Sequence, residues 1–199
     1  MSQIKLTAAG GGGTVAIKGP ASTTGNAAIE LTLPGTANGT LAVGDTGKIL
    51  QVVSTTKTDT SSMTGETPTD IAGFTVTITP SSTSSKIMIF ACINHGGTSG
   101  GYPGFNLLRG TTEICKGTFG TGSARNLTTG SNNTDQYKLN SSILHFLDSP
   151  NTTSAITYKV QMSTYSTQTV WINRPLDTTT SYNYTMGGTS TITAQEVAA

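Results

Sequence analysis

The sequence predicts an all-β protein, with a short N-terminal strand segment followed by an antiparallel β-sandwich of jelly-roll type. Three observations carry this. Phe74, Val76 and Ile78 alternate with Thr75, Thr77 and Thr79, the period-2 pattern of a strand with one buried and one wet face. The chain holds 40 threonines and 20 serines among its 199 residues, and threonine is β-branched and suited to a pleated surface. No window shows a convincing 3.6-residue period, so helices are not expected.

In chain order, Ile4 to Ala8 and Thr14 to Lys18 are short alternating runs around Gly10 to Gly13, which reads as a hairpin with a glycine loop. After a connector at 19–26, Ile29, Leu31 and Leu33 share one face of a third strand. Three small strands bury too little to stand alone, so residues 1–40 form an attachment or stem segment in need of a partner. Its contact residues are Ile4, Leu6, Val15, Ile17, Ile29, Leu31 and Leu33.

Gly35 to Thr40 marks the boundary, and residues 41–199 form the sandwich. Gly47 to Ser54 opens it as a strand, and 55–69 reads as a polar loop. Pro80, which cannot donate to a ladder, and the serines after it turn the chain between the strand at 71–79 and a second at 86–94. That second run is nearly continuous in apolar residues, which predicts a strand covered on both sides. A glycine loop over 95–104 follows, then a hairpin turning at Arg109-Gly110-Thr111. The loop at 117–136 is long enough to predict a functional role or a neighbour that holds it. Tyr137 to Leu147 resumes as strand with an imperfect phase, which predicts a bulge near Ser141-Ser142. Asp148 to Asn151 is a turn, and strands at 155–163, 169–174 and 190–197 complete the set.

Charged residues are 11% of the chain, well below the usual share of about 25%. A surface solvated by hydroxyls has weak self-repulsion and packs readily against other proteins. The net charge of +1 without a basic cluster argues against nucleic acid as a partner. No run approaches the roughly 18 apolar residues of a membrane helix, so no membrane insertion is expected, and the first residues lack the apolar core of a signal peptide. Cys92 and Cys115 lie in apparent strands and read as buried reduced thiols.

Candidate chemistry is thin. Gly97-Thr98-Ser99-Gly100-Gly101 spells G-x-S-x-G, but Gly100, Gly101 and Pro103 exclude the helix a nucleophile elbow needs. His95 and His145 have no partner at metal-ligand spacing, and His145 reads as a sheet residue. The scattered carboxylates leave open a pair assembled in space, as a glycosidase or polysaccharide depolymerase would need. No catalytic residue, cofactor or metal is therefore expected. Trp171, between Val170 and Ile172, reads as core. Tyr102, Tyr182 and Tyr184 sit in glycine- and threonine-rich loops and are candidates for surface recognition of a glycan or protein.

The run Lys5-Leu6-Thr7-Ala8-Ala9 through the four glycines to Thr14-Val15-Ala16-Ile17-Lys18-Gly19-Pro20-Ala21-Ser22-Thr23, with Leu31-Thr32-Leu33-Pro34, resembles a short repeat of tail-fibre-like proteins of tailed phages, marine ones above all. Gly47 to Val52, Ile78 to Ile87 and Phe105 to Gly110 are similar to the globular domain that ends such proteins. The resemblance implies a homotrimeric virion appendage, made in the bacterial cytosol, with the N-terminal segment on the particle and the sandwich as an outward knob. Its partners would be its own copies, other virion proteins of tail or capsid, and a host-surface glycan or protein. One copy of the repeat without a fibrous shaft suits a short tail or head fibre. The alternatives are a capsid decoration protein and a lectin-like carbohydrate-binding module.

Overall fold

The computed structural model describes the strands 3–7 and 14–18 and residues 47–120, 125–178 and 185–199. The chain divides into two compact units, Met1–Val43 and Gly44–Ala199. In the first, β1 (Gln3–Thr7) and β2 (Thr14–Lys18) pair antiparallel, with Ile4 opposite Ile17 and Leu6 opposite Val15. The hairpin expected around the four glycines is thus present. Ile29, Leu31 and Leu33 lie outside the described residues.

The second unit is a β-sandwich without helices among the described residues. One sheet contains β3 (Ile49–Lys57), β4 (Ser61–Thr64), β6 (Lys86–Gly97), β10 (Asn140–Asp148), β12 (Thr169–Ile172) and β13 (Ser190–Val197). The other contains β5 (Thr69–Ile78), β7 (Gly104–Arg109), β8 (Thr112–Ile114), β9 (Thr129–Gly130) and β11 (Ile156–Ser163). All pairings are antiparallel. β6 is the spine of the first sheet, with β10 on one edge and β13 then β12 along the other.

The two sheets bury a common core. Phe74, Val76 and Ile78 of β5, Phe105 and Leu107 of β7, and Tyr158, Val160 and Met162 of β11 meet Ile87, Ile89 and Ile93 of β6 and Ile172 and Ile192 of β12 and β13. The alternation read at 74–79 and 156–162 is the alternation observed. The corner between β5 and β6 is fixed from the far end of the chain. Glu196, buried, accepts hydrogen bonds from the Ser81 amide and hydroxyl, both at 2.6 Å. Burial raises the pKa of its carboxyl, but the bonds from Ser81, Ser85 and Gln51 outweigh that and leave it lowered. The hairpin at Arg109 turns through Gly110, whose φ of 59° suits glycine.

Several expectations are corrected. The polar loop at 55–69 is largely strand, since β3 runs to Lys57 and β4 follows, because threonine and serine pair as well as apolar residues on a wet edge. β6 continues through His95, Gly96 and Gly97, where a glycine loop was predicted. The glycines serve close approach, since a Cβ on Gly96 would press on Pro175 Cα and the Arg174 carbonyl. β10 pairs with β6 from Asn140 to Asp148 without a bulge. Its imperfect phase comes from apolar residues on both faces. β6 is likewise covered on one face only, with Phe90 on the other 44% exposed. Cys115 is exposed just past β8, at a φ of 55°, and Cys92 is half-buried. Neither is the buried thiol expected. Trp171 faces away from the core formed by Val170 and Ile172 and lies half-buried beneath the Arg174 guanidinium, 3.6 Å from the ring centre.

Candidate functional site

Two features of the sandwich offer themselves for recognition. The first is the outer face of the six-stranded sheet. Strand register lines up Val52, Gln195, Met88 and Leu147 across β3, β13, β6 and β10. The next rungs are Ser54, Thr193, Phe90 and His145, then Thr56, Thr191, Cys92 and Ile143. No carboxylate, lysine or arginine stands among these twelve residues. Val52, Phe90, Leu147 and Ile143 are 56%, 44%, 47% and 65% exposed. At strand spacings of about 4.8 Å and about 3.4 Å per residue, four strands by five residues give a footprint of about 330 Å². Six of the twelve residues are apolar and the other six carry hydroxyl, amide or imidazole groups, and exposed apolar groupings on a face of this size are often functional.

The second is a groove at one end of the sandwich, where the β4–β5, β6–β7, β8–β9 and β11–β12 connections converge. This end is opposite Gly47, where the chain enters the unit and the Gly47 amide donates to the Ala198 carbonyl. One chamber, of about 310 Å³, is lined by Glu66, Tyr102, Arg125, Leu127 and Tyr165. An adjoining one of about 250 Å³ shares Glu66, Arg125 and Leu127 and adds Asn106, Glu113, Lys116, Asn126 and Ser163 among its walls.

Each lining group has a local cause. Tyr102 and Tyr165 are exposed and meet edge to face, ring centres 6.4 Å apart and planes at 84°. Leu127 packs onto Gly104, where any Cβ would collide with it. Arg125 is held by donating to the Tyr102 carbonyl and, at 3.3 Å, to Ser163 Oγ. Burial lowers its pKa and the nearby Glu66 carboxylate opposes the shift. Glu66 accepts the Ser166 amide at 3.1 Å. Alternation along β7 turns Phe105 and Leu107 into the core and Asn106 to the other face. There Asn106 Nδ2 donates to Glu113 Oε1 at 2.9 Å, and Lys116 Nζ bridges Glu113 Oε2 at 2.5 Å. Asn106 is 4% exposed, and its Oδ1 has no hydrogen-bond partner.

Of the residues singled out for recognition, Tyr102 lies in this groove, while Tyr182 and Tyr184 are outside the described residues. The long loop at 117–136 supplies Arg125 and Leu127. Tyr165 was not anticipated, although a tyrosine in the Ser163-Thr164-Tyr165-Ser166-Thr167 turn between two clear strands was a visible signal. Asn106 gave no signal, because its environment is set by β8 and the loop beyond.

The second chamber also brings together two carboxylates, Glu66 and Glu113, the minimum a glycosidase requires. Both oxygens of Glu113 are already engaged as acceptors. The G-x-S-x-G serine donates to the Thr134 carbonyl at 3.1 Å and leads into β7, without a helix. Among the described residues no three His, Cys, Asp or Glu side chains group as metal ligands. His95 is buried against Phe105, with Ser142 Oγ 2.9 Å from Nε2, and Asp148 is buried between Arg109 and Tyr158, so both are parts of the sandwich interior.

No protein-family model matches the chain, and no curated protein does. Among solved structures, the chain is similar to the VP2 protein of infectious bursal disease virus in derived T=1 particles. A single-substitution mutant of VP2 aligns at 14% identity and a TM-score of 0.40, over 84% of this chain and 41% of that one. A second VP2 structure aligns at 12% identity and 0.40, over 85% and 41%. The chain spans about two fifths of the length of these structures.

Proposed function

We propose that the chain is a non-enzymatic structural protein of a phage virion, a short homotrimeric fibre or spike. Residues 1–40 attach it to other virion proteins through Ile4, Leu6, Val15, Ile17, Ile29, Leu31 and Leu33, and the sandwich is its outward knob, contributing to host-surface recognition. The observation that carries the reading is the outer face of the six-stranded sheet, whose twelve aligned residues include no Asp, Glu, Lys or Arg and on which Val52, Phe90, Ile143 and Leu147 are exposed. Its footprint of about 330 Å², before side-chain relief is counted, is about two fifths of the roughly 800 Å² each partner gives to a standard interface. A face of this kind left in water favours self-association over an independent monomer. The resemblance of the N-terminal run to phage fibre repeats supports the trimer and the place in the virion.

Light scattering on the purified full-length protein tests the assembly, and a mass of three chains is expected. A single-chain mass at tens of micromolar would overturn the trimer and leave the decoration or lectin reading. Release of reducing ends from a bacterial polysaccharide would overturn the non-enzymatic part.

A further inference from the structure

We propose that the groove at the end of the sandwich is a saccharide site taking one or two neutral pyranose rings. The inference deepens the recognition part of the reading above and is independent of the assembly, because the groove and the outer sheet face share no residue.

A pyranose has an apolar C–H face and a rim of hydroxyls that both donate and accept. The first chamber answers the face, with two exposed tyrosines set edge to face and Leu127 beside them. Being exposed, the rings keep their π surfaces available to a ligand. The second chamber answers the rim. Glu66 offers acceptors, each Glu113 oxygen keeps a second lone pair beside the bond it already accepts, and Arg125 and Lys116 offer donors, each held by its neighbours so that little side-chain order is lost on binding. Two acids face two bases, so the groove has no excess charge, and a neutral ligand fits it better than a uronic or sialic acid. Asn106 points to a ligand independently. Its Oδ1 is a buried acceptor without a partner in a residue that lines the chamber, and a sugar hydroxyl is a donor that can satisfy it. Chambers of about 310 and 250 Å³ are at the small end of ligand sites, which limits the occupant to one or two rings.

The test is titration calorimetry of the full-length protein with methyl glycosides of glucose, galactose, mannose and N-acetylglucosamine and their β-linked dimers. Glucuronic and sialic acids serve as charged comparisons. At least one neutral sugar is expected to bind with a millimolar or tighter Kd. Tyr165→Ala should weaken that affinity roughly tenfold, and Tyr165→Phe should stay within about threefold, since the ring and not its hydroxyl makes the contact. Tyr165 is more than half exposed, so the variants keep the fold, which circular dichroism verifies. The site is overturned if no neutral sugar binds, if only the acids bind, or if Tyr102→Ala and Tyr165→Ala both leave Kd unchanged. None of these results alters the mass in solution, so the groove and the trimer fail separately.

Discussion

At the scale of single residues, His95 shows how placement governs chemistry. It ends the apolar run of β6, and the sequence alone put it at the start of a glycine loop. In the fold it is fully buried, with its ring on Phe105, Nε2 facing Ser142 and Ser131, and Nδ1 without a partner. Burial pulls its pKa down from 6.5 to about 4. Above pH 6.5 the ring is neutral in both folded and unfolded chains and contributes no pH dependence. As the pH falls from 6.5 towards 4, only the unfolded chain takes up the proton, so stability is lost over that window, by about 3 kcal/mol at most. Unfolding free energies from denaturant titrations at pH 7.5 and pH 4.5 should therefore differ by roughly 2 kcal/mol more in the native protein than in His95→Gln, which has no proton to gain. Equal pH dependence in the two proteins would show that the ring is protonated in place. The sequence put no His, Cys or carboxylate at metal-ligand spacing from this histidine but did not show its burial, because that depends on β10, which pairs with it from 45 residues further along.

Among elements, the strands were legible where one face is apolar and the other hydroxyl-bearing, as in β5 and β11. They were misread where both faces carry apolar residues, as in β6 and β10, because periodicity records faces and not what lies outside them. Nor could periodicity show the ties between distant strands. Asn173, just after β12, has a φ of 64° and is buried. Its Nδ2 donates to the Lys57 and Asp59 carbonyls, both at 2.8 Å, its Oδ1 accepts the Ser190 hydroxyl at 2.7 Å, and its amide donates to the Asn94 carbonyl. One side chain thus joins the ends of β3 and β12 to the start of β13. Asn173→Ala removes three hydrogen bonds, two of them buried, and strains a left-handed backbone, and should cost about 3 kcal/mol of unfolding free energy. Asn173→Gly loses the same bonds without the strain and should be about 1 kcal/mol less damaging. If alanine costs no more than a surface substitution, the side chain is not the tie described.

On the scale of the whole molecule, the two recognition surfaces call for different evidence because they arise differently. The groove is assembled from four connections far apart in sequence, so only Tyr102 and the unusual length of the 117–136 loop announced it. The outer sheet face was present in the sequence as an excess of apolar residues in β6 and β10, which reads as burial within one chain, whereas among the described residues of the sandwich Phe90, Ile143 and Leu147 stand exposed. If copies of the chain cover that face, polar substitutions there should act on assembly and not on the fold. Phe90→Ser with Ile143→Ser places two hydroxyls on adjacent strands of the patch, where both side chains point away from the core. Phe90 and Ile143 are 44% and 65% exposed in the single chain, so their loss leaves no core cavity, and the strand signature in circular dichroism should be unchanged. The mass by light scattering should fall from three chains to one at micromolar concentration, since two of the exposed apolar anchors of the face are gone. A double variant that keeps a three-chain mass would place the contacts elsewhere, in the N-terminal unit before any other part of the chain.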